Sequence, residues 1–161
     1  MKPGDHPEFF RFPAPEGRSR ESSIVLDAWG RFFHEGEVVE HAGLARGFAS
    51  WLRKHPDNGR FILSNGYDWC YLTVEDTPFF VLAVRQEGDG LTVRLSDGED
   101  EELRLAQLWS DEAGALRTPV KNGEFVARFS RSAQLQIEPW LVEGDPVSLE
   151  LAGRRYPIAT G

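Results

Sequence analysis

Apolar positions along this chain follow two periods, and the longer one occurs twice. Leu44, Phe48, Trp51 and Leu52 stand at i, i+4, i+7 and i+8, the spacing that lines one face of an α-helix. Ala133, Ile137, Trp140 and Leu141 repeat that spacing, with Trp-Leu at the same two places. The first pattern predicts a helix over residues 41–54, with Arg53, Lys54 and His55 in a last turn where the helix dipole favours cations, and Pro56 as the stop. The second predicts a helix over residues 130–141, which Pro139 should kink or end early because proline lacks the amide donor and crowds the preceding turn.

Around these helices the pattern shortens to alternation between turn residues. Short strands are predicted over residues 24–39, broken by Asp27-Ala28-Trp29-Gly30 and by His34-Glu35-Gly36-Glu37. Further strands are predicted at 60–64, 67–74, 79–86, 91–95 and 103–108, separated by Asn65-Gly66, Asp76-Thr77-Pro78 and Gly88-Asp89-Gly90. Such short connections favour antiparallel pairing. A closing hairpin is predicted from 147–151 and 154–158 around Ala152-Gly153. Asp111-Glu112-Ala113-Gly114 repeats the first Asp turn, and Gly123-Glu124 repeats Gly36-Glu37. The order of turn, strand and helix therefore predicts an α+β fold of two related halves, each mainly antiparallel strands packed on one helix. The divisions read from the sequence are a loose arm over 1–22, a first half over 23–107, and a second half over 108–161 sharing one core with the first.

Composition narrows what such a fold can do. The chain has 161 residues, 40% of them hydrophobic, with eleven Phe and five Trp, which is too much apolar surface for a disordered chain to leave in water. A net charge of -8 repels a long polyanion, so no nucleic-acid polymer is expected as a partner. Cys70 is the single cysteine, and no apolar run reaches signal-peptide or membrane-spanning length, so the expected setting is cytoplasmic with no membrane insertion. The arm carries an aromatic patch, Phe9, Phe10 and Phe12, without helical or strand period.

The residues that could carry chemistry are few. His34 and Glu35 could form an acid/base pair, although a His beside a Gly turn is more often a surface residue. The four His show no metal-ligand spacing, so neither a metal nor a cofactor is expected. Glu75-Asp76-Thr77-Pro78 places two carboxylates and a proline turn between strongly apolar strands; the structural reading has Asp76 accepting backbone amides, and the functional one has the pair binding a ligand. The five carboxylates of 97–102 lack the ligand order of a calcium loop and read as a solvated loop. Cys70 alternates onto the face of Leu72 and Val74 and reads as a small core hydrophobe. Phosphate-binding loops, nucleophile elbows and dinucleotide fingerprints do not occur, which argues against the common enzyme classes.

Phe33-His34-Glu35-Gly36, the segment LARGFASWL at 44–52, Gly59-Arg60-Phe61 and Val74-Glu75-Asp76-Thr77-Pro78-Phe79 together resemble, in order and spacing, the proteobacterial domain of unknown function family 1285. The resemblance is strongest over residues 27–84 and weaker over 120–158, and Thr77 stands where that family usually has Ala. A second uncharacterised family, found in mitochondria and bacteria, has a similar acidic-Asp-x-Pro turn. The resemblance implies a duplicated α+β fold with a pleckstrin-homology-like second half, a nucleotide-related ligand between the halves and a signalling role. The function expected on these grounds is a non-enzymatic regulatory module binding a small molecule or nucleotide, with Arg46, Glu75, Asp76 and Arg128 as contacts. The alternatives are a scaffold for a protein partner without ligand, and a hydrolase using His34 and Glu35.

Overall fold

A computed structural model describes residues 2–161, so the first residue of the arm lies outside the described residues. The fold is mixed α+β, with two short α-helices and seventeen strands among the described residues. The chain divides into two compact units, one ending at Pro78 and the other spanning Phe79–Gly161.

In the first unit, β1 (Val25–Leu26), β2 (Phe32–His34) and β3 (Glu37–Val38) form an antiparallel meander. Glu35 and Gly36, with φ of 53° and 80°, make the two-residue turn between β2 and β3, a conformation that glycine adopts without steric cost. Helix α1 (Ala42–Ser50) follows, and its His41 cap accepts the Leu44 amide at 3.1 Å through Nδ1. Then β4 (Leu52–Lys54), β5 (Phe61–Ser64) and β6 (Trp69–Tyr71) form a second antiparallel sheet, and β7 (Thr73–Val74) returns to lie parallel to β1. Leu26, Phe32, Ala49, Leu52, Ile62 and Leu63 are its buried core.

The second unit opens with β8 (Phe79–Glu87), β9 (Gly90–Leu95) and β10 (Asp100–Glu102), another antiparallel meander. From β11 (Trp109–Ser110) onward it repeats the order of the first unit. β12 (Leu116–Val120) and β13 (Phe125–Phe129) complete a meander with β11. Helix α2 (Arg131–Ile137) follows, capped by Ser130, whose hydroxyl accepts the Ala133 amide at 3.1 Å. β14 (Leu141–Val142), β15 (Ser148–Leu151) and β16 (Arg154–Pro157) form a three-stranded sheet, and β17 (Ala159–Thr160) lies parallel to β11. The sheet orders β3-β2-β1-β7 and β13-β12-β11-β17 correspond strand for strand, as do β4-β5-β6 and β14-β15-β16. In this unit β8 pairs in parallel with β13, so the sheet grows to seven strands.

Several expectations from the pattern need correcting. The first helix stops at Ser50, not residue 54: the Trp51 carbonyl accepts the Ser64 amide at 2.9 Å, and Leu52 pairs with Leu63 as a strand. Leu52 keeps its place on the apolar seam after the backbone has left the helix, so periodicity alone carries the helix too far. The run 67–74 is two strands, because Leu72 breaks it and its halves pair in different sheets. The acidic segment is not wholly loop, since Asp100–Glu102 pairs with β9, whereas 103–108 holds a 3-10 turn at Leu105–Gln107. The unit boundary at Pro78 precedes the 107/108 division read from the sequence, because β8 and β9 pair into the second unit's sheet.

The described part of the arm is packed on the first unit. The Gly4 amide donates to the Gly66 carbonyl at 2.8 Å, and a Cβ on Gly4 would stand 2.8 Å from the Gly66 Cα. Arg11 pairs with Asp57, and Phe10 packs edge-on against His55 and Trp69. Buried His55 accepts the Asp57 amide at Nδ1, and its Nε2 lies 3.0 Å from the Phe10 carbonyl. Among the described residues no helix is long and apolar enough to cross a membrane.

Candidate functional site

The repeated order extends to hydrogen bonds. After β1, Asp27 turns the chain: one carboxylate oxygen accepts the Trp29 and Arg31 amides, and the other takes the Arg31 guanidinium at 2.8 Å. After β11, Asp111 accepts the Ala113 and Ala115 amides and takes the Arg117 guanidinium at 2.9 Å. Burial pushes each carboxyl pKa up, but the amide and guanidinium hydrogen bonds outweigh it and hold both below the ordinary carboxylate range. The edge bonds match too: the Glu75 amide donates to Leu26 and the Gly161 amide to Ser110, the Leu72 amide to Phe61 and the Ile158 amide to Val147. Register thus makes Leu63 the counterpart of Leu149, and their cross-strand neighbours Cys70 and Tyr156 counterparts of each other. Counting from the caps pairs Phe48 with Ile137 and Trp51 with Trp140.

Against this common frame the interiors differ. In the first unit a cleft of about 170 Å³ opens between α1 and the β5-β6 hairpin, lined by Ile24, Phe48, Trp51, Leu63 and Cys70, with Asn65, Asp68 and Trp69 at the hairpin end. In the second unit Leu149 and Ile137 are both 0% exposed, Leu151 stands in the place of Asn65, and Tyr156 in the place of Cys70. Arg20 from the arm braces the polar end of the cleft: its guanidinium donates to Asp68 at 2.6 Å and to the Trp69 carbonyl at 2.9 Å, and it lies 4.5 Å from the Trp69 ring centroid. Trp69 is buried, and its indole Nε1 has no hydrogen-bond partner among the described residues. Burial pushes the Cys70 thiol pKa up, against a smaller opposing effect of the Ser22 hydroxyl, so the sulfur stays protonated at neutral pH and behaves as an apolar wall. The core reading of Cys70 is corrected to half-buried, since it faces this cleft.

The candidates from sequence lie elsewhere. His34 is exposed at the end of β2, and Glu35 occupies the adjoining turn with its amide donating to Ser23. Arg46 is exposed on α1, Glu75 is exposed just after β7, Asp76 is half-buried, and Arg128 is half-buried in β13 between Phe80 and Arg117 in register. None of these six lines the cleft. Thr77 and Pro78 are buried. Two further cavities, of about 390 Å³ and 280 Å³, lie on the second unit over Arg85, Asp100 and Glu101 and at the Glu150–Arg155 hairpin tip. In the first, Asp100 is held at a pKa of about 2 by hydrogen bonds from Arg94 and Arg85, a surface charge network already satisfied within itself. Sequence reasoning missed the cleft. Its only trace was the Trp-Leu repeat, which aligns the two helices but leaves Cys70 and Tyr156 unaligned until strand register is known.

The geometry defines an α+β protein of two topologically repeated modules, with a cleft in one. No family model and no curated protein matches the chain. The fold is that of domain of unknown function family 1285 structures. The crystal structure of a DUF1285 family protein from Silicibacter pomeroyi superimposes with a TM-score of 0.67 at 19% identity, covering 94% of this chain and 92% of that one. A DUF1285 family protein from Shewanella baltica gives 0.60 at 18% identity over 75% of this chain and 94% of that one. At these identities the likeness is one of fold.

Proposed function

We propose that this chain is a non-enzymatic regulatory module that binds a small ligand, and that the cleft of the first unit is the binding site. The observation that supports this reading is an aromatic-walled cleft that reaches the core at Leu63 in the first unit, where the equivalent Leu149 of the second is 0% exposed and Tyr156 stands at the register position of Cys70. A packed interior is the default for folded chains, so an opening that reaches core residues is a feature that function explains better than packing does. The sequence reading placed a nucleotide-related ligand between the halves; this proposal rests on the first unit alone. The sole cysteine and the charge of -8 support a cytoplasmic setting without nucleic-acid polymers. A second reading, a scaffold for a protein partner, is favoured by Trp29, which is 72% exposed at the first Asp turn.

A thermal-shift screen of nucleotides, nucleobases and small metabolites tests the proposal, because a ligand that binds only the native state at about a hundred times its Kd stabilises by about 2.7 kcal/mol. Compounds that raise Tm in the wild type are expected to lose that effect in Cys70→Tyr, which gives the first unit the residue of the second. Hits that act equally on both proteins would place the ligand elsewhere.

A further inference from the structure

The equivalent positions of the two units differ in side-chain size. Tyr156 and Cys70 occupy the same register position, each opposite a buried Leu. One module carries a phenol side chain at this register position, and the other has a thiol beside an opening of about 170 Å³. That volume is below the ~300 Å³ at which drug-sized pockets begin. It suits one ring, and Phe48, Trp51 and Trp69 supply aromatic walls against which a ring packs edge-on or offset.

The polar end refines the class. Asn65 Oδ1 already accepts the Tyr67 and Asp68 amides, so its NH2 group is the donor it can offer. Asp68 Oδ1 takes the Arg20 guanidinium and the Trp69 amide, which leaves the second carboxylate oxygen to accept a proton donor. No Lys, Arg or His is among the residues lining the cleft; Arg20, behind its polar end, donates through its two terminal nitrogens to Asp68 and to the Trp69 and Pro13 carbonyls, and its buried Nε has no partner among the described residues. An anionic ligand would meet the Asp68 carboxylate and no cation among the lining residues, with the Arg20 charge already paired to Asp68. We infer that the cleft binds a free, uncharged, single-ring phenol-type molecule, its ring between Phe48, Trp51 and Trp69 and its hydroxyl at the Asn65–Asp68 end. This rests on the reading of the cleft as a ligand site and names the chemistry it takes.

The test uses the full wild-type chain and p-cresol, the side chain of Tyr156 as a free molecule, as the probe. Alkylation of Cys70 by iodoacetamide is followed with and without it, together with the indole N–H resonances of Trp51 and Trp69. At about ten times its Kd, p-cresol is expected to slow alkylation about tenfold and to shift both resonances. Cys70→Ser should keep the resonance shifts, and Cys70→Tyr should lose them while staying folded. The labelling arm does not depend on either variant. Protection by p-cresyl phosphate or by indole, but not by p-cresol, would overturn the phenol assignment and leave the cleft as a ligand site. Protection only by a tyrosine-containing peptide would replace the free molecule with a partner's side chain. If neither these probes nor any compound from the thermal screen protects Cys70, both the inference and the proposed site fall.

Discussion

The two units share a frame and differ in what fills it. Both turn after an equivalent strand, β1 or β11, on an Asp that accepts two amides and an Arg guanidinium, both cap their helix with a side-chain acceptor three residues from the bonded amide, and both return their last strand, β7 or β17, parallel to that same strand. Those features are hydrogen bonds that satisfy backbone groups, together with the two guanidinium contacts, and they leave little room for variation because an unmade buried bond costs the desolvation of its donor. The interior is held by non-directional packing, so Cys70 can stand where the other module has Tyr156 without disturbing the ladder. The edges differ as well: β3 ends its sheet with two exposed residues, whereas β13 is internal and alternates buried and half-buried because β8 pairs beyond it. A module of this kind keeps its topology while its core and edge are free to take on different tasks.

The largest effect that bears on this comparison comes from the two equivalent leucines. Leu149→Ala empties a fully buried position and should cost about 4 kcal/mol, whereas Leu63→Ala enlarges an existing cleft and should cost about 2 kcal/mol. Urea denaturation of both variants checks the ordering, and equal losses would mean that the first unit is packed as tightly as the second. Next come the Asp turns. Asp27→Ala and Asp111→Ala each leave two amides and a guanidinium short of an acceptor and should each cost about 2 kcal/mol, with the Asn variants in between. A near-neutral result at one of them would break the equivalence of the turns.

A smaller effect follows from acid. Asp27 and Asp111 have folded pKa values below the ordinary carboxylate range, so the stability they contribute is fully present above that range and is lost as pH falls through the folded values. The urea midpoint is expected to drop between about pH 5 and about pH 2, and to drop less in the Asp27→Asn, Asp111→Asn double variant. Asp100, held at about 2 by Arg94 and Arg85, should leave a residual fall in that double variant. The smallest effect concerns the helix ends. Pro139 stands in the 3-10 turn after α2 where α1 has Ser50 still helical, so Pro139→Ser should lengthen α2 and change stability by less than about 1 kcal/mol. Backbone chemical shifts of residues 138–140 report the change.

The sequence by itself determined what is local. The 3.6-residue period placed both helices, Pro139 ended the second early, and the paired Asp turns and the glycines at positive φ marked where the chain reverses. From these the α+β class and the repeated order of elements were legible, because each depends on contacts within a few residues. Tertiary structure alone decided which strands meet. Alternation in 67–74 is the same whether the run pairs once or, as it does, serves two sheets across Leu72, and nothing local chooses the parallel partners of β1, β11 and β13. The arm lacks any period, yet Phe10 and Arg20 dock on His55 and Trp69, residues about forty-five and forty-nine positions away. The cleft lies beyond sequence for the same reason: Cys70 comes to line open space, and Tyr156 to stand at its equivalent position, only once long-range register has set Leu63 and Leu149 opposite them. A side chain's period tells which face it is on, while what stands across from that face is fixed by pairing between distant segments.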